Sequence, residues 1–216
     1  MSVFILSEDS YDFPSGELAE KNGLLAIGGD LSVKRLVSAY KGGIFPWYEE
    51  GADIEWWCPN VRFIIFPKLI RVSGSMRKFI KKTNLQTKID ENFPDIIRNC
   101  KLNRADGTWI TKGMEDAYIN LFEAGYGMCV GVYDDDELVG GLYGVKIGKC
   151  FFGESMFSRT KNASKLALIR LCVELYDEGF LFVDCQFHTD HLESMGGQYI
   201  SWFDYSRLLK RGVAGA

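Results

Sequence analysis

Three apolar segments stand in a row in the second half of the chain, and the turns between them are too short to hold anything but hairpins. Residues 128–133 are followed by the acidic turn Asp134-Asp-Asp-Glu137, residues 138–146 by a turn at Gly148, and a third segment runs over 149–157. Strands joined this closely pair antiparallel, so the meander commits the chain to a sheet. The third strand, Lys149-Cys-Phe-Phe-Gly-Glu-Ser-Met-Phe-Ser158, also ends in chemistry. Glu154 stands among Phe151, Phe152, Met156 and Phe157, and a carboxylate in such company is costly to bury unless it is paired or used.

After this strand the periodicity becomes helical. Residues 162–177 place Leu168, Leu171 and Leu175 on one face, and Gly179 is a C-terminal stop. A further buried strand over 180–185 delivers Asp184, with Gln186 just beyond it. Two apolar strands joined by a helix, each ending in an acidic or amide group, make Glu154, Asp184 and Gln186 the candidate catalytic set. Read from the residues alone, the same three also fit a buried polar network that only fixes strand ends.

The rest of the chain is read around this centre. With 216 residues it holds one large domain, or one domain plus a small one. Residues 1–60 are loop-rich and read as a small N-terminal unit, with a helix capped by Asp30 or Ser32 and a break near residue 60; residues 61–216 read as the second domain. A short strand is expected over 61–66, a basic helix capped by Ser73 or Ser75 up to Lys82, and helices near 93–100 and 114–123. A helix, an antiparallel meander, a helix and another strand give an α+β class with a mainly antiparallel sheet. No apolar run reaches membrane-spanning length, and the N-terminus has no basic segment followed by a long apolar one. The six cysteines form no CxxC pair, so free thiols in a reducing cytoplasm are expected, without a metal. His188 and His191 lack an evident third ligand and read as loop or substrate-side residues.

Charge and aromatic content point to a partner. The net charge of −4 argues weakly against nucleic acid, yet no acidic residue falls between Glu55 and Asp90, a stretch carrying Arg62, Lys68, Arg71, Arg77, Lys78, Lys81, Lys82 and Lys88. Local charge of one sign suggests a phosphate-facing patch; a solvated helix face fits equally well. Aromatic residues make up 14% of the chain, and Trp47, Trp56 and Trp57 sit in or near glycine-rich loops, where they can serve as core or as stacking surfaces.

The order of elements resembles the GNAT acyltransferase fold. In acetyl-CoA enzymes of that fold a glycine-rich loop after the anchor strand cradles pyrophosphate on backbone N–H groups. Here that position reads Ser158-Arg-Thr-Lys-Asn-Ala-Ser164, without glycine, so another acyl donor is expected.

Several motifs together resemble one family, the bacterial leucyl/phenylalanyl-tRNA–protein transferases. They are Gly23-Leu-Leu-Ala-Ile-Gly-Gly-Asp-Leu-Ser32, Ala39-Tyr-Lys-Gly-Gly-Ile-Phe-Pro-Trp47, Trp56-Trp-Cys-Pro59, Gly107-Thr-Trp-Ile110, Leu138-Val-Gly-Gly-Leu-Tyr-Gly144, Phe152-Gly-Glu-Ser-Met-Phe-Ser158, Asn162-Ala-Ser-Lys165 and Asp184-Cys-Gln186. The resemblance implies a small N-terminal domain and a GNAT-like catalytic domain. The implied activity moves Leu, Phe or sometimes Met from charged tRNA to the α-amine of proteins beginning with Arg or Lys, marking them for degradation, with no cofactor. It also implies site roles. Trp47 and Trp109 hold the tRNA 3′ adenosine, with Tyr40 and Tyr118 nearby. Leu142, Met156, Leu168, Leu171, Leu175 and Val183 line the aminoacyl pocket. Arg71, Arg77, Lys78, Lys81 and Lys82 follow the acceptor stem. The expected protein is a cytoplasmic monomer.

The chain departs from the family pattern at Tyr126-Gly-Met-Cys-Val-Gly131, Cys58, Thr189 and Trp202. These positions bear on the peptide site.

Aminolysis of an ester that is already activated needs positioning more than a powerful base. Asp184 is expected to hold and deprotonate the incoming amine, Gln186 to orient it, and Glu154 to contact the donor's α-amino group. A 2′-hydroxyl of the tRNA that shuttles the proton is the alternative, with Asp184 structural. A binding module without chemistry and a CoA-dependent acetyltransferase are the rival functions.

Overall fold

The structure, a computed structural model, describes residues 3–102 and 109–215. Gly107 and Thr108 of the expected tryptophan loop lie outside the described residues.

The chain first builds a four-stranded sheet from β1 (Phe4–Leu6), β2 (Leu24–Gly28), β3 (Phe45–Pro46) and β4 (Glu55–Trp57), in the order β1-β2-β4-β3, with α1 (Val33–Lys41) between β2 and β3. Ser32 rather than Asp30 caps α1, its hydroxyl accepting from the Arg35 N–H. Gly42 and Gly43 come after the helix, and Gly43 holds φ at +71°, which favours glycine. A Cβ there would stand 2.8 Å from the Tyr205 ring.

The larger sheet starts with β5 (Val61–Ile65). It then takes in β6 (Gln86–Ile89), β7 (Gly127–Asp134), β8 (Glu137–Ile147), β9 (Cys150–Ser158), β10 (Phe182–Asp184) and β11 (Gln198–Ser201), in the order β11-β5-β10-β9-β8-β7-β6. The expected meander is β7-β8-β9, antiparallel throughout. Among the described residues, only β9 and β10 run parallel in this sheet, with α5 (Ala163–Asp177) as the crossover between them. The fold is therefore α+β, a small N-terminal sheet beside a larger, mostly antiparallel one. Strands β6 and β11 lie at its two edges and are not among the expected elements. Each is four residues long with much of its surface exposed, so neither has a long apolar run to betray it.

Helices cover both faces. On one face α1, α3 (Phe93–Leu102), α4 (Lys112–Glu123) and α7 (Trp202–Val213) enclose a core containing Tyr40, Phe93, Tyr118, Tyr143, Phe152, Phe157 and Tyr205. On the other, α5 and α2 (Gly74–Ile80) pack over Met76, Val130, Leu142, Phe151, Leu168 and Val183, and the short α6 (Asp190–Ser194) lies between β10 and β11 in the chain. Strand β9 belongs to both. Side chains on a regular strand alternate faces, yet Phe152 and Phe157, five positions apart, share the first core. A register shift explains this: Tyr143 pairs with Ser155 and Gly144 with Gly153, leaving Glu154 as the extra residue of a β-bulge. The bulge turns Glu154 toward α1 and α4 and leaves Met156 on the α5 side.

Candidate active site

Strands β9 and β10 stay paired through Phe152 and Asp184 and then part. Glu154 and Gln186 face each other just beyond the last pair, and the Gln186 side-chain amide donates to Glu154 Oε1 at 3.1 Å. A cavity of about 580 Å³ opens at this parting, a size ordinary for small-molecule sites.

Glu154 is deeply buried and held from three sides. Tyr40 on α1 donates to Oε1 at 2.7 Å and Tyr118 on α4 donates to Oε2 at 2.8 Å, while the two hydroxyls stand 2.7 Å apart. Burial pushes the carboxyl up to about 7, and the Asp184 charge adds to that; hydrogen bonds from Tyr40, Tyr118 and Gln186 pull the other way. Burial and the Glu154 charge together drive both phenols well above the usual tyrosine range.

Asp184 is placed differently from what its assignment as a base requires. It is fully buried and does not line the cavity. Arg62 on β5 grips both of its oxygens, Nε donating to Oδ1 at 3.3 Å and Nη2 in close contact with Oδ2. Tyr205 on α7 donates to Oδ2 at 2.7 Å, and the Gln186 N–H donates to Oδ1 at 2.9 Å. That last bond holds Gln186 at φ +64°, a left-handed conformation that is uncommon for this residue type. Asp184 thus faces Arg62 and the backbone of Gln186, and it shapes the site by aiming the Gln186 side chain at Glu154. Arg62, one of the cations of the basic stretch, is not on the surface at all. It is fully buried, donates through Nη1 to the Gly43 carbonyl at 2.8 Å, and lies against the rings of Phe45 and Tyr205. Burial alone would push its guanidinium down; the Asp184 charge more than reverses that and keeps it charged.

Four of the six residues expected in the aminoacyl pocket, Leu142, Met156, Leu168 and Leu171, line the cavity; Leu175 and Val183 do not. Leu175 is one turn of α5 beyond Leu171 and is sealed in the core, as is Val183. Trp47 and Trp109 both line the cavity, Trp47 being 41% exposed. Tyr40 and Tyr118 are at most 1% exposed and reach the site only through their hydroxyls. No ring face is open on either for an adenine, and both hydroxyls are engaged with Glu154.

The sequence reading missed Phe187. It is 41% exposed, lines the cavity and packs on Trp47 at a ring separation of 5.5 Å. An aromatic residue directly after Gln186 is the signal that could have found it. Arg71, Arg77, Lys78, Lys81 and Lys82 are exposed on or beside α2, and Ser73 rather than Ser75 caps that helix. His188 and His191 part company: His188 pairs with Glu193 at 3.0 Å, whereas His191 lines the cavity with its pKa lowered, chiefly by burial. Donor atoms of His188, Asp190 and Glu193 gather within 4.8 Å on a largely exposed rim. Of the departures from the family pattern, only Thr189 lines the cavity. Tyr126 to Gly131 enter and form β7, Cys58 donates to the Gly43 carbonyl at 3.6 Å, and the Trp202 ring packs tilted against that of Tyr205.

Residues 64–210 match the family model for leucyl/phenylalanyl-tRNA protein transferase, and residues 29–60 match the model for its N-terminal domain. The chain belongs to this family. A leucyl/phenylalanyl-tRNA–protein transferase of Pseudomonas fluorescens is 48% identical over 95% of this chain and 93% of its own, and one of Syntrophobacter fumaroxidans is 46% identical over 99% and 92%. This is a tRNA-dependent leucyl/phenylalanyl transferase. Among solved structures, one similar chain is that of L-PGS from Bacillus licheniformis, with a TM-score of 0.43 and 12% identity over 73% of this chain and 68% of that one. No helix among the described residues of the transferase is long and apolar enough to cross a membrane.

Proposed function

We propose that this transferase moves leucine or phenylalanine, and sometimes methionine, from charged tRNA to the N-terminal α-amine of proteins beginning with arginine or lysine. The observation that carries the detailed reading is a single cavity lined by three kinds of group: the apolar Leu142, Met156, Leu168 and Leu171, the aromatic Trp47, Trp109 and Phe187, and Glu154 with Gln186 where the strands part. The apolar residues take the aminoacyl side chain. Met156 adapts to different shapes, and one methylene changes affinity by only about 1–3 kcal/mol, so Leu, Phe and Met are all admitted while polar side chains meet a desolvation cost. The tryptophans stack on the terminal adenine, and the exposed cations of α2 track the acceptor-stem phosphates.

The reaction then runs mainly on placement. The donor ester is already activated, and the acceptor α-amine has a pKa of about 7.7–8.0, so freeing it at neutral pH costs only about 1 kcal/mol. Gln186, held from behind by Asp184, orients that amine, and Glu154 contacts the donor's α-amino group. A CoA donor is disfavoured at the loop after β9, where Ser158 Oγ already accepts from the Ser164 N–H at 3.2 Å, so this N–H is turned to its own loop.

An aminoacyl nucleoside of the puromycin type tests the binding half. It is expected to quench tryptophan fluorescence saturably and to be displaced by leucyl- or phenylalanyl-tRNA but not by acetyl-CoA. Displacement by acetyl-CoA would favour the acetyltransferase instead.

A further inference from the structure

The oxygens around Glu154 pose a counting problem. Tyr40 Oη to Glu154 Oε1 is 2.7 Å, Tyr118 Oη to Glu154 Oε2 is 2.8 Å, and Tyr40 Oη to Tyr118 Oη is 2.7 Å. All three are hydrogen-bond distances for O–H···O pairs. Two phenols bring two protons. With the carboxylate ionised, both protons point at Glu154, and the third contact sets two oxygen lone pairs against each other with nothing between them. One more proton on Glu154 fills all three contacts: the carboxyl donates to one phenol, that phenol to the other, and the second back to the remaining carboxyl oxygen. The ring therefore has a place for one additional proton.

That place is open to the substrates. Glu154 lines the cavity, whereas Tyr40 and Tyr118 lie behind it. Asp184, the other carboxylate in the region, is outside the cavity lining and held by Arg62, Tyr205 and the Gln186 backbone.

We propose that Glu154, closed into a ring with the Tyr40 and Tyr118 hydroxyls, is the proton acceptor and then the proton donor of the transfer step; this rests on the function proposed for the cavity. The neutral acceptor amine attacks the ester carbonyl carbon, the C–N bond forms, and one N–H proton moves to Glu154. The bond from that carbon to the ribose 3′ oxygen breaks, and the leaving oxygen takes the proton back from Glu154. An amide and a free 3′ hydroxyl result, and the carboxylate is restored. A contact with the donor's α-amino group uses Glu154 only as an acceptor; the ring gives it a proton to return.

The groups that set its titration are on every side. Tyr40 comes from α1 and Tyr118 from α4, with Tyr143 on β8 beside both; Asp184 on β10 adds its charge, itself paired to Arg62 on β5. Burial keeps Glu154 protonated up to about pH 7. Only the ionised form accepts a proton, so below that value the Glu154 titration takes a further factor of about ten per pH unit from transfer, on top of the factor of about ten lost to protonation of the acceptor amine.

Isotope-edited infrared spectroscopy on the full chain, paired with transfer rates against pH, decides the matter. The expected result is a buried carboxyl C=O band that disappears as pH rises through about 7 and is missing in Glu154→Gln. Tyr118→Phe removes a donor to the ionised form, so the band midpoint and the acid limb of the rate should move up together by about one pH unit. The acceptor amine's own titration cancels in that comparison. A limb that stays in place in Tyr118→Phe, or that keeps its full steepness in Glu154→Gln instead of falling to the single titration of the acceptor amine, would overturn the proposal and hand the proton to His191 or to the tRNA 2′ hydroxyl. A band midpoint near the ordinary carboxylate range would also overturn it. A protein with the expected band but no transfer at any pH would instead overturn the parent reading.

Discussion

Replacing Arg62 by methionine should destabilise the fold by about 3–5 kcal/mol, the cost of leaving a buried carboxylate without its cation. Arg62 and Asp184 are both fully buried and paired across 122 positions of sequence. The guanidinium also donates to the Gly43 carbonyl at 2.8 Å and fills the space between the Phe45 and Tyr205 rings. Methionine keeps part of that packing and none of the charge, so the loss reports the ion pair more than a cavity. Urea unfolding at pH 7 measures it. The double variant Arg62→Met/Asp184→Leu should recover most of the loss, because removing both charges also removes the uncompensated one. Additive losses in the two single variants and the double would mean that packing, not charge, sets the cost.

Trp47→Ala and Trp109→Ala are each expected to weaken binding of charged tRNA by about 1–3 kcal/mol, roughly fivefold to 150-fold, the usual value of one base stacked on an aromatic face. Trp47 is 41% exposed, so its removal should leave stability nearly unchanged, and the loss should appear in the Kd for the tRNA 3′ end. Trp47→Phe should retain most of the binding, since stacking tolerates a change of ring. Removing a surface cation of α2 should instead weaken binding in a salt-dependent way, because that contact is to phosphate. A Trp47→Ala protein that binds charged tRNA normally would move the adenine elsewhere, with Phe187 the nearest alternative surface.

The parts of the site that sequence made legible share one property: the chemistry lies on the strand that carries it. Glu154 and Asp184 stand out as acids in apolar strands, and the short turns of the meander bring β8 and β9 together without further assumption. Glu154, Asp184 and Gln186 do converge where β9 and β10 part. What could not be read depends on partners remote in sequence. Arg62 looks like its neighbours in a basic stretch, and nothing local shows that it turns inward to Asp184. Tyr40 and Tyr118 have suitable rings for an adenine, and only their burial reveals that the hydroxyls are what matters. The bulge at Glu154 is equally hidden, because it comes from the register of β8 on β9 and not from composition. Leu175 shares a helix face with Leu168 and Leu171, yet a face says nothing of where along the helix a cavity ends.

Transfer itself is the most direct measurement. The protein is mixed with tRNA carrying labelled leucine or phenylalanine and with reporters beginning with Arg, Lys or Met, in the absence of ATP and CoA. Label is expected on the Arg and Lys reporters and not on the Met reporter. Retained binding of charged tRNA with no label on any reporter would contradict the transferase assignment and leave a binding module in its place.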